Sequence, residues 1–258
     1  MWEAAARLAP GQVFSHLSAA ALWGIHILGA WPDAVDVSVD RSRATRSGGA
    51  IRRHSRVIDG AAVQPWGTHA VTTPAQTALD LAACLPFVEG VAVADQVLWT
   101  RRRGGPLAHP ADLAFLAEST AGRGSGRARR VTAFARGGAD SVRESQSRVV
   151  LATLGFPEPR LQQRFMLPNG RDAFSDFFWP EHSHIGEFDG LDKYRDPALL
   201  RGRTPEEALI AEKDREDELR RLVSRFSRWR TPMLTHPQRL YDTLTGAGLP
   251  SSRPRPGR

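Results

Sequence analysis

The feature that most narrows the folds open to this 258-residue chain is a run of strand patterns at 161–188, bracketed by two helix-start signatures. Leu161–Leu167 and Ala173–Phe178 read as strands, joined by the turn residues Pro168-Asn169-Gly170. Ile185–Phe188 forms a third strand after the break at Pro180–Ser183. Upstream, Ser141-Val142-Arg143-Glu144 is a capping box that opens a helix to Leu154, stopped by Gly155. Downstream, Thr204-Pro205-Glu206-Glu207 is another, with proline at the first helical position and a helix to about Val223. A last strand around Arg228–Leu234 and a helix from Pro237 to Leu244 complete the half. The order α-β-β-β-α-β predicts an α/β (α+β) core in which helices flank a mixed sheet.

The first half carries shorter elements. Ser18–Gly24 reads as a helix with Ser18 as N-cap, and Val35–Val39 alternates strictly as a strand. Ile51–His54 can pair with that strand across the turn at 41–49. Thr73-Pro74 opens a helix to about Leu85, and further helices are expected at Val88–Trp99 and Ala111–Glu118. Gly122-x-Gly124-x-Gly126, with no apolar helix after it, reads as a flexible loop leading to Arg127, Arg129 and Arg130. A boundary at Gly137-Gly138 gives a smaller α+β domain with an Arg-rich linker at 1–137 and a second domain at 138–246. The Pro-, Arg- and Ser-rich segment 247–258 is expected to be a disordered basic tail.

Of 35 basic residues only Lys193 and Lys213 are lysine, and both stand among carboxylates. The net charge of +7 is uneven: residues 1–139 carry +5, 140–235 carry −1 and the remainder +3. Positive flanks around a near-neutral, acid-rich segment suit a polyanion-binding protein with a metal-holding centre. No apolar stretch reaches membrane-spanning length and no signal-peptide layout is present. A lone cysteine, Cys84, in an apolar run reads as a buried small hydrophobe in a cytoplasmic protein.

The chemistry-bearing residues lie in the second half. Alternation puts Phe174, Asp176 and Phe178 on one strand face, so Asp176 is expected between aromatic positions and needs a partner there. Glu187 and Asp189, two apart at a strand end, share a face. With Asp176 alongside, three hard oxygen ligands would meet at one sheet edge, which suits Mg²⁺ or Mn²⁺. The alternative is a solvated strand end whose acids pair with Arg171 or Arg195. Glu144 either serves its capping box or faces the strand acids, with Arg148 four residues on. Glu212 and Arg215 read as an inward-facing ion pair, Lys213 as a flank residue able to reach phosphate, and Lys193 as the stronger catalytic candidate. Zinc-ligand spacing, a Walker loop and a Gly-x-Ser-x-Gly elbow are absent from the sequence.

These residues fall into a recognisable series. Glu144-Ser145…Arg148, Gly155-Phe156-Pro157-x-Pro159…Gln162, Gly170-Arg171…Asp176-Phe177-x-Trp179-Pro180, Glu187-Phe188-Asp189-Gly190…Lys193-Tyr194 and Glu212-Lys213-x-Arg215 occur in that order. Over about 140–235 the chain resembles the very-short-patch-repair (Vsr)-like branch of the PD-(D/E)xK nuclease superfamily, and more closely an actinobacterial domain of unknown function beside it. The first half resembles the region after the winged helix in AbiEi-type antitoxins, through Leu17-Ser18-Ala19-Ala20 and Thr72-Thr73-Pro74-Ala75-Gln76-Thr77-Ala78-Leu79-Asp80, with the winged helix missing or truncated.

The resemblance implies Glu144, Asp176 and Glu187 around one or two Mg²⁺ ions. Asp189 stands where the family has lysine, so Lys193 would have to reach back, or Asp189 would be a further ligand. The expected function is a Mg²⁺-dependent endonuclease acting on DNA, RNA not being excluded, in a defence, repair or toxin–antitoxin context. Arg148, Lys213, Arg215, Arg127, Arg129 and Arg130 would contact the nucleic acid. The alternatives are a non-catalytic DNA-binding regulator of the antitoxin type on a degenerate nuclease fold, and a protein–protein adaptor of a defence system.

Overall fold

The computed structural model describes residues 11–40, 49–56, 59–190 and 204–257. They form two compact units, Met1–Ser145 and Gln146–Arg258.

In the first unit a five-stranded sheet has the order β3-β2-β1-β5-β4. Its strands are β1 (Val13–Phe14), β2 (Val35–Asp40), β3 (Ile51–Arg56), β4 (Val63–Trp66) and β5 (His69–Thr72). Strands β2 and β3 pair in parallel, Val35 opposite Ile51, so the expected reversal across 41–49 is corrected: a tight turn can join only antiparallel neighbours. Helix α1 (His16–Leu22) starts after Ser15, not at Ser18. The Ser18 hydroxyl instead accepts from the Asp36 amide at 2.8 Å. Phe14, Ala19, Val35, Val37 and Val71 form the apolar core beside this sheet.

Helices α2 (Pro74–Cys84), α3 (Phe87–Leu98), α4 (Pro110–Ser119) and α5 (Ser125–Phe134) follow. Thr73 caps α2 through the Gln76 amide, and Pro74 sits where its missing N–H costs nothing. Cys84 ends α2 at the surface, correcting the buried reading. Helix α5 corrects the flexible loop: Gly124, at φ +86°, turns the chain, and Ala128 and Val131 supply a buried apolar face although most of the helix is polar or glycine. A stripe of two small apolar residues is too short to register as amphipathic periodicity.

Helix α6 (Val142–Thr153) spans the division between the units. The second unit's sheet runs β6-β7-β8-β9, with β6 (Arg160–Met166), β7 (Asp172–Trp179), β8 (His184–Phe188) and β9 (Arg225–Trp229). The first two pairings are antiparallel and β8–β9 is parallel, so the sheet is mixed as expected. Helices α7 (Pro205–Leu222), α8 (Thr231–Thr235) and α9 (Pro237–Gly246) complete the order. Strand β9 begins three residues before its expected start, and Thr231-Pro232 opens a helix where the strand was expected to continue.

The two faces of this sheet differ. One carries Phe177, Trp179, Phe188 and Trp229, packed against Leu151 of α6, Leu154 just after it, and Leu240 and Leu244 of α9. Both buried indoles are satisfied, Trp229 Nε1 by Ser147 Oγ at 2.9 Å and Trp179 Nε1 by the Pro157 carbonyl at 2.8 Å. The other face carries Phe178, Ile185 and Phe226, covered by Leu219 and Val223. Segment 247–257 is part of the unit, which corrects the disordered tail. Leu249 is buried, Ser252 bonds to Gly155 through backbone and side chain, and Arg255 pairs with Asp242. None of the helices, searched over the described residues, is long and apolar enough to cross a membrane.

Candidate functional site

Asp176 and Glu187 stand across from each other on the inner strands β7 and β8, and Asp189 follows two residues beyond Glu187. The pairing Phe177↔Gly186, continued by one residue, sets Asp176 of β7 across from Glu187 of β8. Glu187 shares the face of Ile185 that α7 covers. Asp176 stands on the same side of β7 as Phe174 and Phe178, as alternation expects, with Phe174 exposed and Phe178 half-buried. Its Oδ2 accepts from the Phe188 amide at 2.9 Å, taking over where ladder pairing ends, and Oδ1 accepts from Gln162 Nε2 at 3.2 Å.

Glu187 is only 5% exposed and is held by two arginines. Arg215 of α7 donates to both its oxygens, at 2.9 and 3.0 Å, and Arg228 of β9 donates to Oε2 at 3.2 Å. Arg215 also grips Glu212 at 2.7 and 2.9 Å and the Phe174 carbonyl at 2.8 Å. Arg228 bonds Glu216 at 2.7 Å. Asp189 is held by Arg230 at 2.6 Å. The alternating layers of carboxylate and guanidinium explain the electrostatics. Burial raises the Glu187 carboxyl above its ordinary range, Arg215 opposes this, and Asp176 and Glu212 add to it. Burial opposes the Arg215 charge too, but Glu212 and Glu187 outweigh it and hold the guanidinium protonated.

The expected ion pair of Glu212 with Arg215 is present, and Arg215 extends it to Glu187. Among the described residues Glu187 is held by Arg215 and Arg228 and Asp189 by Arg230, while Arg195, expected as a partner, lies outside the described residues. Arg228 and Arg230 were missed because the expected strand started at Arg228. Starting it at Arg225 makes Phe226 and Arg228 alternate toward α7, and that alternation was the available signal.

Glu144, in the first unit, spends its carboxylate on helix capping: Oε1 accepts from Ser141 Oγ at 2.8 Å and Oε2 from the Asp140 amide at 2.9 Å. Arg148 is buried on α6, and Lys213 is exposed on α7. In the first unit Arg127 donates to the carbonyls of Cys84 and Leu85, Arg129 to that of Thr120, and Arg130 lies on the exposed side of α5. Lys193 lies outside the described residues.

A Mg²⁺ or Mn²⁺ ion needs converging, accessible carboxylate oxygens. Here both oxygens of Glu187 and of Asp176 already accept N–H donors, and Arg215 and Arg228 stand where a cation would neutralise Glu187. Among the described residues no group of three or more His, Cys, Asp or Glu is placed to hold a metal ion. The arrangement as it stands therefore does not fit the ion.

No family model matches the chain. It is 32% identical over 152 residues to the uncharacterized protein MT2308 of Mycobacterium tuberculosis strain CDC 1551 / Oshkosh. The same figures hold for the uncharacterized protein Rv2248 of strain ATCC 25618 / H37Rv. The match covers 58% of this chain and 54% of each relative, so the chain spans about half the length of the relatives it matches.

Proposed function

We propose that the chain is a DNA-binding regulator of the antitoxin type whose second unit keeps the layout of a Vsr-like nuclease core without its hydrolytic chemistry. The observation that carries this reading is the double guanidinium grip on Glu187, which supplies from the chain itself the positive charge that a catalytic metal would bring. Five acids (Asp176, Glu187, Asp189, Glu212, Glu216) face four arginines (Arg215, Arg220, Arg228, Arg230), so the cluster is close to neutral and internally matched. The chain's excess of arginine supplies a phosphate-directed charge that positions a protein on DNA without reading bases. We place the protein in the cytoplasm, with a toxin or defence protein as its further partner.

A Mg²⁺-dependent endonuclease is the second reading. It is favoured by the placement of Asp176 across from Glu187, and it requires both arginines to leave Glu187. One experiment separates the two: the full chain is incubated with supercoiled plasmid with and without Mg²⁺, and its binding to a labelled duplex is followed as salt rises. The regulator reading expects intact plasmid and an affinity that falls linearly in log–log terms with salt. Mg²⁺-dependent nicking abolished by Asp176→Ala would establish the nuclease, and absence of both nicking and DNA binding would leave the adaptor.

A further inference from the structure

The first unit contains a polar cluster that the second unit's chemistry does not involve. Along the parallel pair β2–β3, Asp36 is the register partner of Arg52, and Ser38 that of His54. Asp36 is buried, with its side chain 2% exposed, and it accepts from both neighbours: Arg52 at 2.9 Å on Oδ2 and His54 Nε2 at 2.8 Å on Oδ1. A carboxylate in that position is an acceptor only, so His54 presents Nε2–H to Asp36 and turns Nδ1 away from it. The His16 ring lies flat on His54, with centroids 3.6 Å apart and planes 16° from parallel. His16 Nδ1 meets the Ser15 hydroxyl at 3.0 Å.

Two observations separate this cluster from ordinary surface polarity. His16 has φ 49°, a left-handed backbone conformation that costs a non-glycine residue free energy, and its ring is the one stacked on His54. Ser38, 3% exposed and beside His54 in the sheet, has a buried hydroxyl with no partner. Buried hydroxyls are almost always bonded, so an orphaned one next to an oriented imidazole marks a place made for a further acceptor. Arg52 and His54 remain 44% and 32% exposed, so a ligand can reach both.

We propose that Arg52 and His54, oriented by Asp36 and steadied by the stacked His16, form a binding site for a phosphate group. Arg52 keeps the N–H donors of its fork that Asp36 does not use, and the Ser38 hydroxyl is unspent; His54, whose Nε2–H is given to Asp36, donates to a phosphate oxygen only through a proton on Nδ1, as imidazolium. A neutral ligand would leave the guanidinium charge unanswered by anything but Asp36, whereas a phosphate would complete the layers acid, base, anion. The inference rests on the first unit alone and stands whether or not the second unit cleaves or binds DNA.

The test is imidazole ¹H–¹⁵N NMR on the full chain, titrated with inorganic phosphate and, separately, with a thymidine dinucleotide phosphodiester. The His16 and His54 resonances should move together, while those of His109 and His236 stay. Arg52→Gln and His54→Asn should each weaken the half-saturation point about tenfold, the loss of one charge-assisted hydrogen bond. Each variant leaves the buried Asp36 one partner fewer, so folding is checked by free-state His109 and His236 resonances that match the wild type, and Arg52→Lys, which keeps a cation beside Asp36 but loses the fork, serves as a second variant. A stronger response to the dinucleotide identifies nucleic acid as the phosphate source, and a stronger response to inorganic phosphate identifies a free phosphate. Unmoved His16 and His54 resonances with both probes, or unchanged half-saturation in both variants, would overturn the site.

Discussion

Arg228 lies directly beside Glu187: the two are register partners on the parallel strands β9 and β8, and the guanidinium donates to Glu187 Oε2 at 3.2 Å. Arg215 reaches the same carboxylate from α7, so the strand pair and the covering helix are tied through one buried charge. Burying that carboxylate without a cation would cost several kcal/mol, and two arginines remove the penalty by sharing it.

Removing one of them should therefore destabilise the second unit. Arg215→Met keeps the apolar stem and deletes the charge, leaving Glu187 and Glu212 unbalanced. The expected loss is about 3 kcal/mol, read as a lower urea midpoint at constant slope. Arg215→Lys should recover only part of it, because an ammonium cannot fork between Glu187 and Glu212 while bonding the Phe174 carbonyl. A midpoint unchanged in Arg215→Met would show that Arg228 alone compensates Glu187.

His184 gives a pH dependence of opposite origin. It is fully buried on β8, its Nε2 meets Ser227 Oγ at 2.9 Å, and burial, with Arg225 and His182 nearby, pushes its pKa down to about 4. The fold thus holds the neutral ring. Its contribution is complete above the unfolded value of about 6.5 and is lost as the pH falls toward about 4. The loss at the acid end should reach about 3 kcal/mol. His184→Gln, which can still donate to Ser227, should flatten the stability profile across that window, and an unflattened profile would assign the acid sensitivity to another group.

Much of the second unit was legible because its signals are local. The capping boxes at Ser141 and Thr204 and the Pro168-Asn169-Gly170 turn each satisfy backbone groups within a few residues, so they show in the sequence. What escaped was set at long range. The parallel pairing of Val35–Asp40 with Ile51–Arg56 has no local signature, and neither does the packing of Ser252 on Gly155. The candidate site shows the same split. Asp176, Glu187 and Asp189 stood out by type and spacing, and the Glu212–Arg215 pair by helical spacing. Their neutralisation depended on Arg228 and Arg230, which a three-residue error in one strand start concealed.

Gly186 tests the close packing behind the site. A methyl group there would stand 2.6 Å from Trp229 Cη2 and 2.9 Å from Trp179 Cζ3, inside van der Waals contact with two buried rings. Neither indole can retreat without losing its bond to Ser147 or Pro157. Gly186→Ala should cost about 3 kcal/mol by overpacking, and adding Trp229→Phe should return part of that in a double-mutant cycle. Additive effects of the two changes would mean that the strand, not the ring, moves.

Asp176 is where stability and function part company. As the acceptor for the Phe188 amide and Gln162, it ends the β7–β8 ladder, and Asp176→Ala would leave that amide unsatisfied, costing about 2 kcal/mol in chemical denaturation. Asp176→Asn keeps one carbonyl acceptor and should cost less than half as much. If the acids serve only the ion-pair layers, both variants should bind duplex DNA within about twofold of the wild type, with the same salt slope, since that slope counts phosphates contacted and not carboxylates. Anisotropy titrations at three salt concentrations measure both quantities. A change in slope on deleting Asp176, in a variant that is still folded, would place this part of the sheet against the nucleic acid and return the endonuclease reading to first place.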